Sequence, residues 1–376
     1  MTGTDGHFAT LSPEERERTL NLAAQHLRDG KSVILPTESV YGVFVHANDH
    51  GAELLASLTK PATFVHTPQF TLHLADLDWI FPLFEIESAV TRRLIHKLAP
   101  SPVRMVLRQP EHVLLQIREK LGVSAGVVDL RDMVAFRVPD HPIARSVIRQ
   151  SGHPTLARGV GVSIWGGLGG ADLANTTVFE DADAPEVIIN EGPALYGKSS
   201  STINLWPDGR FRIGKVAAVD EAFIMDKLKT RVVFVCTGNT CRSPMAEGLA
   251  RAWERRRTPN GLTIEVSSAG VAAGEGSPAS DQTLQALRER EIDLSTHQSR
   301  LLTPEMVDRA DIILTMTPSH AQAVMQIAPD SAHKVFPIDP LNPIADPIGQ
   351  PIEVYREVAD QLETLIDARF KEFIDE

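Results

Sequence analysis

The stretch VVFVCTGNTCRSPMAEG, Val232 to Gly248, places both cysteines of the chain, Cys236 and Cys241, in one short loop between an apolar run and a helical pattern. VVFVC reads as a buried strand, and SPMAEGLARAWERRR reads as a helix with Ser243 as cap and Pro244 in its first turn. The backbone N–H groups of such a loop, together with the helix N-terminus, form a cradle for an anion. Gly238 and Asn239 tolerate the left-handed backbone of a tight curl. Arg242 offers a planar fork to two phosphate oxygens. At the centre of that positive field the sulfur of Cys236 is favoured as a thiolate, with the Ser243 hydroxyl as a further donor.

A dianion cradle with a sulfur nucleophile at its base suggests phosphoryl transfer through a cysteinyl-phosphate. The leaving group needs an acid and the second step a base, and one carboxylate on a loop can serve both in turn. Asp346, in NPIADPIGQP, is the candidate. Asp311 begins a strand at the wrong end of the sheet, and Asp339 lacks the same loop setting. The cysteine spacing fits no zinc pair and no histidine pair accompanies it, so no metal is expected.

Outward from this loop the pattern is regular. The strands RVVFVC, LTIEVSSAG, DIILTM and HKVFPI alternate with helical stretches, ending in a long helix from about Pro351 to Glu376. Such alternation predicts a doubly wound four-stranded parallel α/β sheet with its ligand at the carboxyl ends of the strands. Upstream, SPEERERTLNLAAQHLRDG reads as a capped amphipathic helix. SVILPTESVYGVFVHA, VRMVLRQ, MVAFRVP, EVIINEG, STINLW and RFRIGKV read as strands of a mixed twisted sheet with helices. A charged stretch, Val216 to Arg231, marks a hinge, so the expected organisation is residues 1–220, a linker at 221–230, and residues 231–376.

Length and composition agree with two soluble domains: 376 residues, 43% hydrophobic and 23% charged. No membrane-length apolar run or signal peptide is apparent, and two cysteines make no disulfide framework, so a cytoplasmic protein is expected. The net charge of -12 argues against general affinity for nucleic acid and leaves room for a local basic pocket.

CTGNTCRSP, the SSAG after the second strand, His297 to Arg300, ADIILTM and the Asp346-Pro347 pair resemble the low-molecular-weight protein phosphatase family over residues 231–376. The resemblance implies Cys236 as nucleophile, Arg242 as phosphate clamp and Asp346 as general acid. Thr237, Gly238, Asn239, Thr240, Cys241 and Ser243 form the phosphate-binding loop, phosphorylated proteins are the substrates, and no cofactor is needed. Tyrosine-acting members usually wall the site with aromatic rings. Here Ile348 and Gly349 follow the Asp-Pro pair and AGVAAGEGSPAS carries no aromatic, so a phenyl ring finds no stacking partner. Thr240 resembles the branch that includes protein arginine phosphatases, and phosphoarginine and phosphotyrosine both stay open. Arsenate reduction needs relay thiols beyond Cys241, which the chain lacks; the pair suits reversible protection of Cys236 as a disulfide.

Residues of about 15–219 resemble the YrdC/YciO family, whose active members make threonylcarbamoyl-adenylate for tRNA modification. The carriers are LPTESVYGV, FRVPDHPIA, STINL and RIG. They imply Thr37, Tyr41, Lys60, Arg137, Ser201, Thr202 and Arg212 as nucleotide or substrate contacts. They also imply double-stranded RNA or tRNA as partner, and ATP with magnesium if this half is active. Three departures oppose activity. Lys60-Pro61 lacks the family's arginine, APSPVRM replaces Gly-Pro-x-Thr, and LARGVGVSIWGGLGG replaces Ser-Ala-Asn-x-Ser-Gly. Each lost charge-assisted contact is worth about 1.5–3 kcal/mol, so a degenerate domain is expected. A retained synthase with an accessory phosphatase, or a nucleotide- or RNA-binding module, are the alternatives.

Overall fold

A computed structural model describes residues 8–58, 68, 70–159, 185, 187–256 and 263–375. The chain divides into two compact units, Met1–Lys227 and Leu228–Glu376.

The first unit is built on a ten-stranded mixed sheet. Its strands are β1 (Val33–Leu35), β2 (Gly42–His46), β3 (Thr71–His73), β4 (Val103–Arg108), β5 (Asp129–Leu130), β6 (Met133–Arg137), β7 (Thr155–Gly159), β8 (Val187–Ile188), β9 (Ser201–Leu205) and β10 (Phe211–Lys215). They are ordered β10-β9-β4-β6-β3-β7-β2-β1-β8, with β5 beside β6. Neighbours distant in sequence dominate: Val103 pairs with Ser201 and Leu72 with Phe136, both in parallel register. The helices are α1 (Pro13–Arg28), α2 (Asp49–Leu58), α3 (Ala89–Leu98), α4 (Glu111–Leu121), α5 (Pro142–Ser151) and α6 (Glu221–Leu228). Ser12 and Glu15 close a capping box at the start of α1, satisfying two backbone donors that the helix itself cannot. The stretch expected as a linker folds as α6 and the first residue of the next strand.

The second unit has four strands, β11 (Thr230–Cys236), β12 (Ile264–Gly270), β13 (Ile312–Thr315) and β14 (Val335–Pro337), ordered β12-β11-β13-β14 and all parallel. The expected α/β architecture is observed. The helices are α7 (Arg242–Arg256), α8 (Asp281–Arg288), α9 (Pro304–Arg309), α10 (Pro318–Ile327) and α11 (Ile352–Phe370); a π-helical turn at Lys371–Asp375 follows, so regular helix ends short of Glu376. Side chains of a strand alternate in direction, and β11 divides accordingly. Val232, Phe234 and Cys236 pack with Met245 of α7, Leu287 of α8 and Tyr355 of α11, whereas Val233 and Val235 pack with Val307 of α9 and Val324 of α10. Cys236 therefore ends a strand that is covered on both faces, and the loop after it is held by a rigid base.

Candidate active site

The loop is curled by Asn239, whose φ of +53° lies in the left-handed region. Asparagine accepts that backbone more readily than most side chains. Its N–H donates to Cys236 Sγ at 3.3 Å. Its side chain amide donates to Ser243 Oγ at 2.9 Å and Ser268 Oγ at 2.8 Å, and its Oδ1 accepts from the Arg300 N–H at 3.0 Å. His297 Nε2, 2.8 Å from the Asn239 carbonyl, donates to it. Ser243 does not cap α7. The helix begins at Arg242, and the Ser243 hydroxyl sits 2.9 Å from Cys236 Sγ, where the sulfur competes for it.

Gly270 shows how tightly the loop is seated: a Cβ there would lie 2.4 Å from the Thr237 carbonyl oxygen and 3.0 Å from the Asn239 nitrogen. The Val271 and Ala272 N–H groups hold the Cys236 and Thr237 carbonyls at 3.0 Å each. Ser280 N–H holds the Thr240 carbonyl at 2.9 Å. Carbonyls tied back in this way are what a loop needs if its amides are to serve an anion. Thr237 Oγ1 is 2.9 Å from His320 Nε2, whose ring also meets Thr317 Oγ1 at 2.8 Å. Burial, aided by the nearby Arg242 guanidinium, lowers the His320 pKa to about 4. Neutral imidazole is thus a fixed strut.

Arg242 is buried and donates through Nη1 to the Ile344 carbonyl at 3.1 Å and through Nη2 to Asp346 Oδ2 at 2.5 Å. Ile344 is itself pinned by its N–H to the Met316 carbonyl at 2.9 Å, which brings the loop before α11 over the strand ends. Cys236, Arg242 and Asp346 therefore converge at the carboxyl ends of the strands. Asp311 instead accepts from the Arg231 N–H, and Asp339 accepts from the Leu341 and Asn342 N–H groups. Cys241 is a free, buried thiol 3.7 Å from the Tyr355 hydroxyl and 3.5 Å from Ser280 Oγ. Thr240 Oγ1 lies 3.8 Å from that sulfur. Of the two residues read as left-handed, only Asn239 is so. Ser268, His320 and Glu247 were not anticipated; SSAG was visible as a motif, without the partners it reaches.

In the first unit a cleft of about 350 Å³ is lined by Arg104, Arg137, Arg158 and Lys215, with Thr37, Tyr41 and Thr202 also at its wall. Arg137 is committed: it donates to the Ser101 carbonyl, Ser39 Oγ and Ser200 Oγ and pairs with Glu38, which is buried as well. Burial lowers the pKa of Arg104 to about 10. The Tyr41 hydroxyl donates to the Gly192 carbonyl at 2.6 Å and accepts from Glu191 N–H at 3.0 Å. Ser201 Oγ donates to the Val219 carbonyl at 2.6 Å and does not line the cleft. Arg212 is exposed on β10 and is likewise absent from the lining. Lys60, and the glycine-rich segment from residue 160 onward, lie outside the described residues. The lining offers cations and hydroxyls to phosphate oxygens. Among the described residues no carboxylate lines the cleft to hold magnesium, and no group of three or more His, Cys, Asp or Glu is placed to bind a metal ion. No described helix is long and apolar enough to cross a membrane.

Residues 231–376 match the family described as low molecular weight phosphotyrosine protein phosphatase, and residues 25–213 match the Sua5/YciO/YrdC family, described as telomere recombination. A protein-arginine-phosphatase of Geobacillus stearothermophilus is 44% identical over 36% of this chain and 91% of its own length. One of Bacillus subtilis is 39% identical over the same shares. A probable low molecular weight protein-tyrosine-phosphatase of Ralstonia nicotianae is 32% identical, again over 36% of this chain and 91% of the relative.

Proposed function

The chain belongs to the low molecular weight phosphotyrosine protein phosphatase family through residues 231–376 and to the Sua5/YciO/YrdC family through residues 25–213, and on that premise we propose that its second unit hydrolyses phosphoarginine in proteins through Cys236. One observation carries the reading: Cys236 Sγ sits at the bottom of the amide loop, with Asn239 N–H donating to it and Ser243 Oγ at 2.9 Å, at the strand ends where Arg242 meets Asp346.

Bound phosphate lies on the loop amides with two oxygens on the Arg242 fork. The sulfur forms an S–P bond in line as the P–N bond to the guanidine breaks. Asp346 gives the departing nitrogen its proton. Water then attacks phosphorus, the carboxylate of Asp346 takes the water proton, the S–P bond breaks and inorganic phosphate leaves. Arginine over tyrosine is favoured by the names of two relatives and by the side chains at the mouth, where Ile348 is 67% exposed and offers no ring to stack on. Turnover of matched phosphoarginine and phosphotyrosine peptides tests this. The expected result is a kcat/KM for phosphoarginine at least tenfold higher; a preference for phosphotyrosine would reverse the substrate assignment.

A second reading concerns the first unit. Its cleft, basic among the described residues, supports binding of a nucleotide or RNA end. Pyrophosphate release from ATP with threonine and bicarbonate would make it a synthase and not a binding module alone.

A further inference from the structure

Arg104 stands on β4 where the Gly-Pro-x-Thr pattern has its threonine, so APSPVRM loses a hydroxyl and gains a guanidinium. Its Nε donates to Thr71 Oγ1 at 2.7 Å and its Nη2 to the Pro68 carbonyl at 3.4 Å, which leaves the hydrogens of Nη1 unspent. Among the described residues no carboxylate pairs with Arg104 or lines the cleft. Arg137, by contrast, has Glu38. A partly buried guanidinium without a counter-charge destabilises the empty fold, and an anion from outside relieves that cost.

The sheet brings two further donors to the same place. Arg104 is paired with Thr202 of β9, and Thr202 with Lys215 of β10, so the three lie in one row across adjacent strands. Lys215 joins that row only because β10 is irregular. Ile213 pairs with Ile203, and strict alternation would set Gly214 opposite Thr202 and turn Lys215 to the other face of the sheet. A bulge between Ile213 and Lys215 sets Lys215 opposite Thr202 instead. Lys215 Nζ spends one hydrogen on Ser199 Oγ at 2.7 Å and keeps two. All three side chains line the cleft, and Phe44 and Ala157, on β2 and β7, line it further along the sheet.

Donors arriving from three strands suit a tetrahedral anion with three free oxygens better than a planar carboxylate with two. We infer that Arg104, Thr202 and Lys215 anchor a terminal phosphate monoester, borne by a nucleoside monophosphate or by the 5′ end of an RNA, with Arg104 as the buried charge. The inference rests on the reading of the first unit as a binder of a nucleotide or RNA end. The departure at APSPVRM then changes the ligand and does not simply delete a contact.

The test uses the full chain carrying Cys236→Ser, so that the probes are not consumed, and hydrogen exchange in β4 and β9, which reads the first unit alone. The probes are AMP against adenosine, and a short RNA with a 5′-phosphate against the same RNA with a 5′-hydroxyl; the pair that protects at lower concentration identifies the source. The phosphorylated member is expected to bind about tenfold tighter or more, and Arg104→Met to abolish that preference. Without ligand, Arg104→Met should exchange more slowly, because an unpaired charge has been removed. An arginine that served only packing would give faster exchange when replaced, and that result would overturn the inference. A phosphate preference that survives Arg104→Met, or protection by threonine and not by AMP, overturns it too. If that variant does not fold, an unchanged preference in Lys215→Met does the same. Protection by none of the four probes would instead remove the binding reading beneath it.

Discussion

Arg242 Nη2 and Asp346 Oδ2 are 2.5 Å apart, yet the Arg242 side chain is 7% exposed and that of Asp346 46%. The guanidinium is the fixed partner, held also by the Ile344 carbonyl. Asp346 can therefore be released when phosphate oxygens take over the fork, and it is then free to turn to the leaving group. On the proposed mechanism this pair links the phosphate clamp to the general acid before any substrate has bound.

Asp346→Asn keeps the shape of the side chain and removes the proton it transfers. The expected loss in kcat on a phosphopeptide is about 10²–10⁴-fold, with KM little changed. The loss should be smaller with p-nitrophenyl phosphate, whose leaving group needs little protonation. An equal loss on both substrates would show that Asp346 serves only to hold Arg242.

Gly270→Ala should damage the loop from beneath. The added Cβ meets backbone atoms of Thr237 and Asn239, which cannot rotate away as a side chain end could. Overpacking of this kind costs about 1–3 kcal/mol, and here the shift moves the Asn239 amide off the sulfur. Steady-state kinetics at a temperature where circular dichroism shows the variant folded should give at least a tenfold loss in kcat/KM. Wild-type kinetics would contradict the close seating.

The depressed pKa of His320 predicts an acid limb in stability. The unfolded chain binds a proton at this residue near pH 6.5, the folded chain only near pH 4. Between those values the unfolded state holds more protons, so stability falls as pH falls through the window and levels off below it. The contribution is at most about 3 kcal/mol. His320→Gln should flatten this limb in urea unfolding followed by hydrogen exchange in β11. The same limb in wild type and variant would refute the assignment.

In the first unit, Glu38→Ala leaves the buried Arg137 guanidinium without its carboxylate. Breaking such a pair costs about 3–5 kcal/mol. Glu38→Gln should cost less, because its amide oxygen still accepts from the guanidinium. Hydrogen exchange in β4 and β6 reads both. Equal stability of Glu38→Ala and wild type would mean that water reaches the guanidinium.

The second unit was legible in the sequence because its βα repeats are local. β11 alternates its faces within five residues, and the loop, α7 and the Asp346-Pro347 pair follow in a fixed order. The partners of Asn239 were not legible, since Ser268 and Arg300 come from distant segments and meet only through the strand order. Ser243 has the residue type of a cap, and only the position of the sulfur shows why it serves elsewhere. The first unit was harder for the same reason. Arg137 finds Glu38 across 99 positions, Arg104 enters the cleft on β4, and Arg212 faces outward on β10, none of which a local pattern reveals.

The most direct measurement is acid quenching of the full chain during turnover of a phosphoarginine peptide, followed by mass spectrometry of the peptide spanning Val232 to Arg242. Phosphate on the sulfur of Cys236 in the wild-type chain, with no turnover in Cys236→Ser, is the predicted result. Continued turnover by Cys236→Ser, or phosphate trapped on another residue, would contradict a nucleophile at that position.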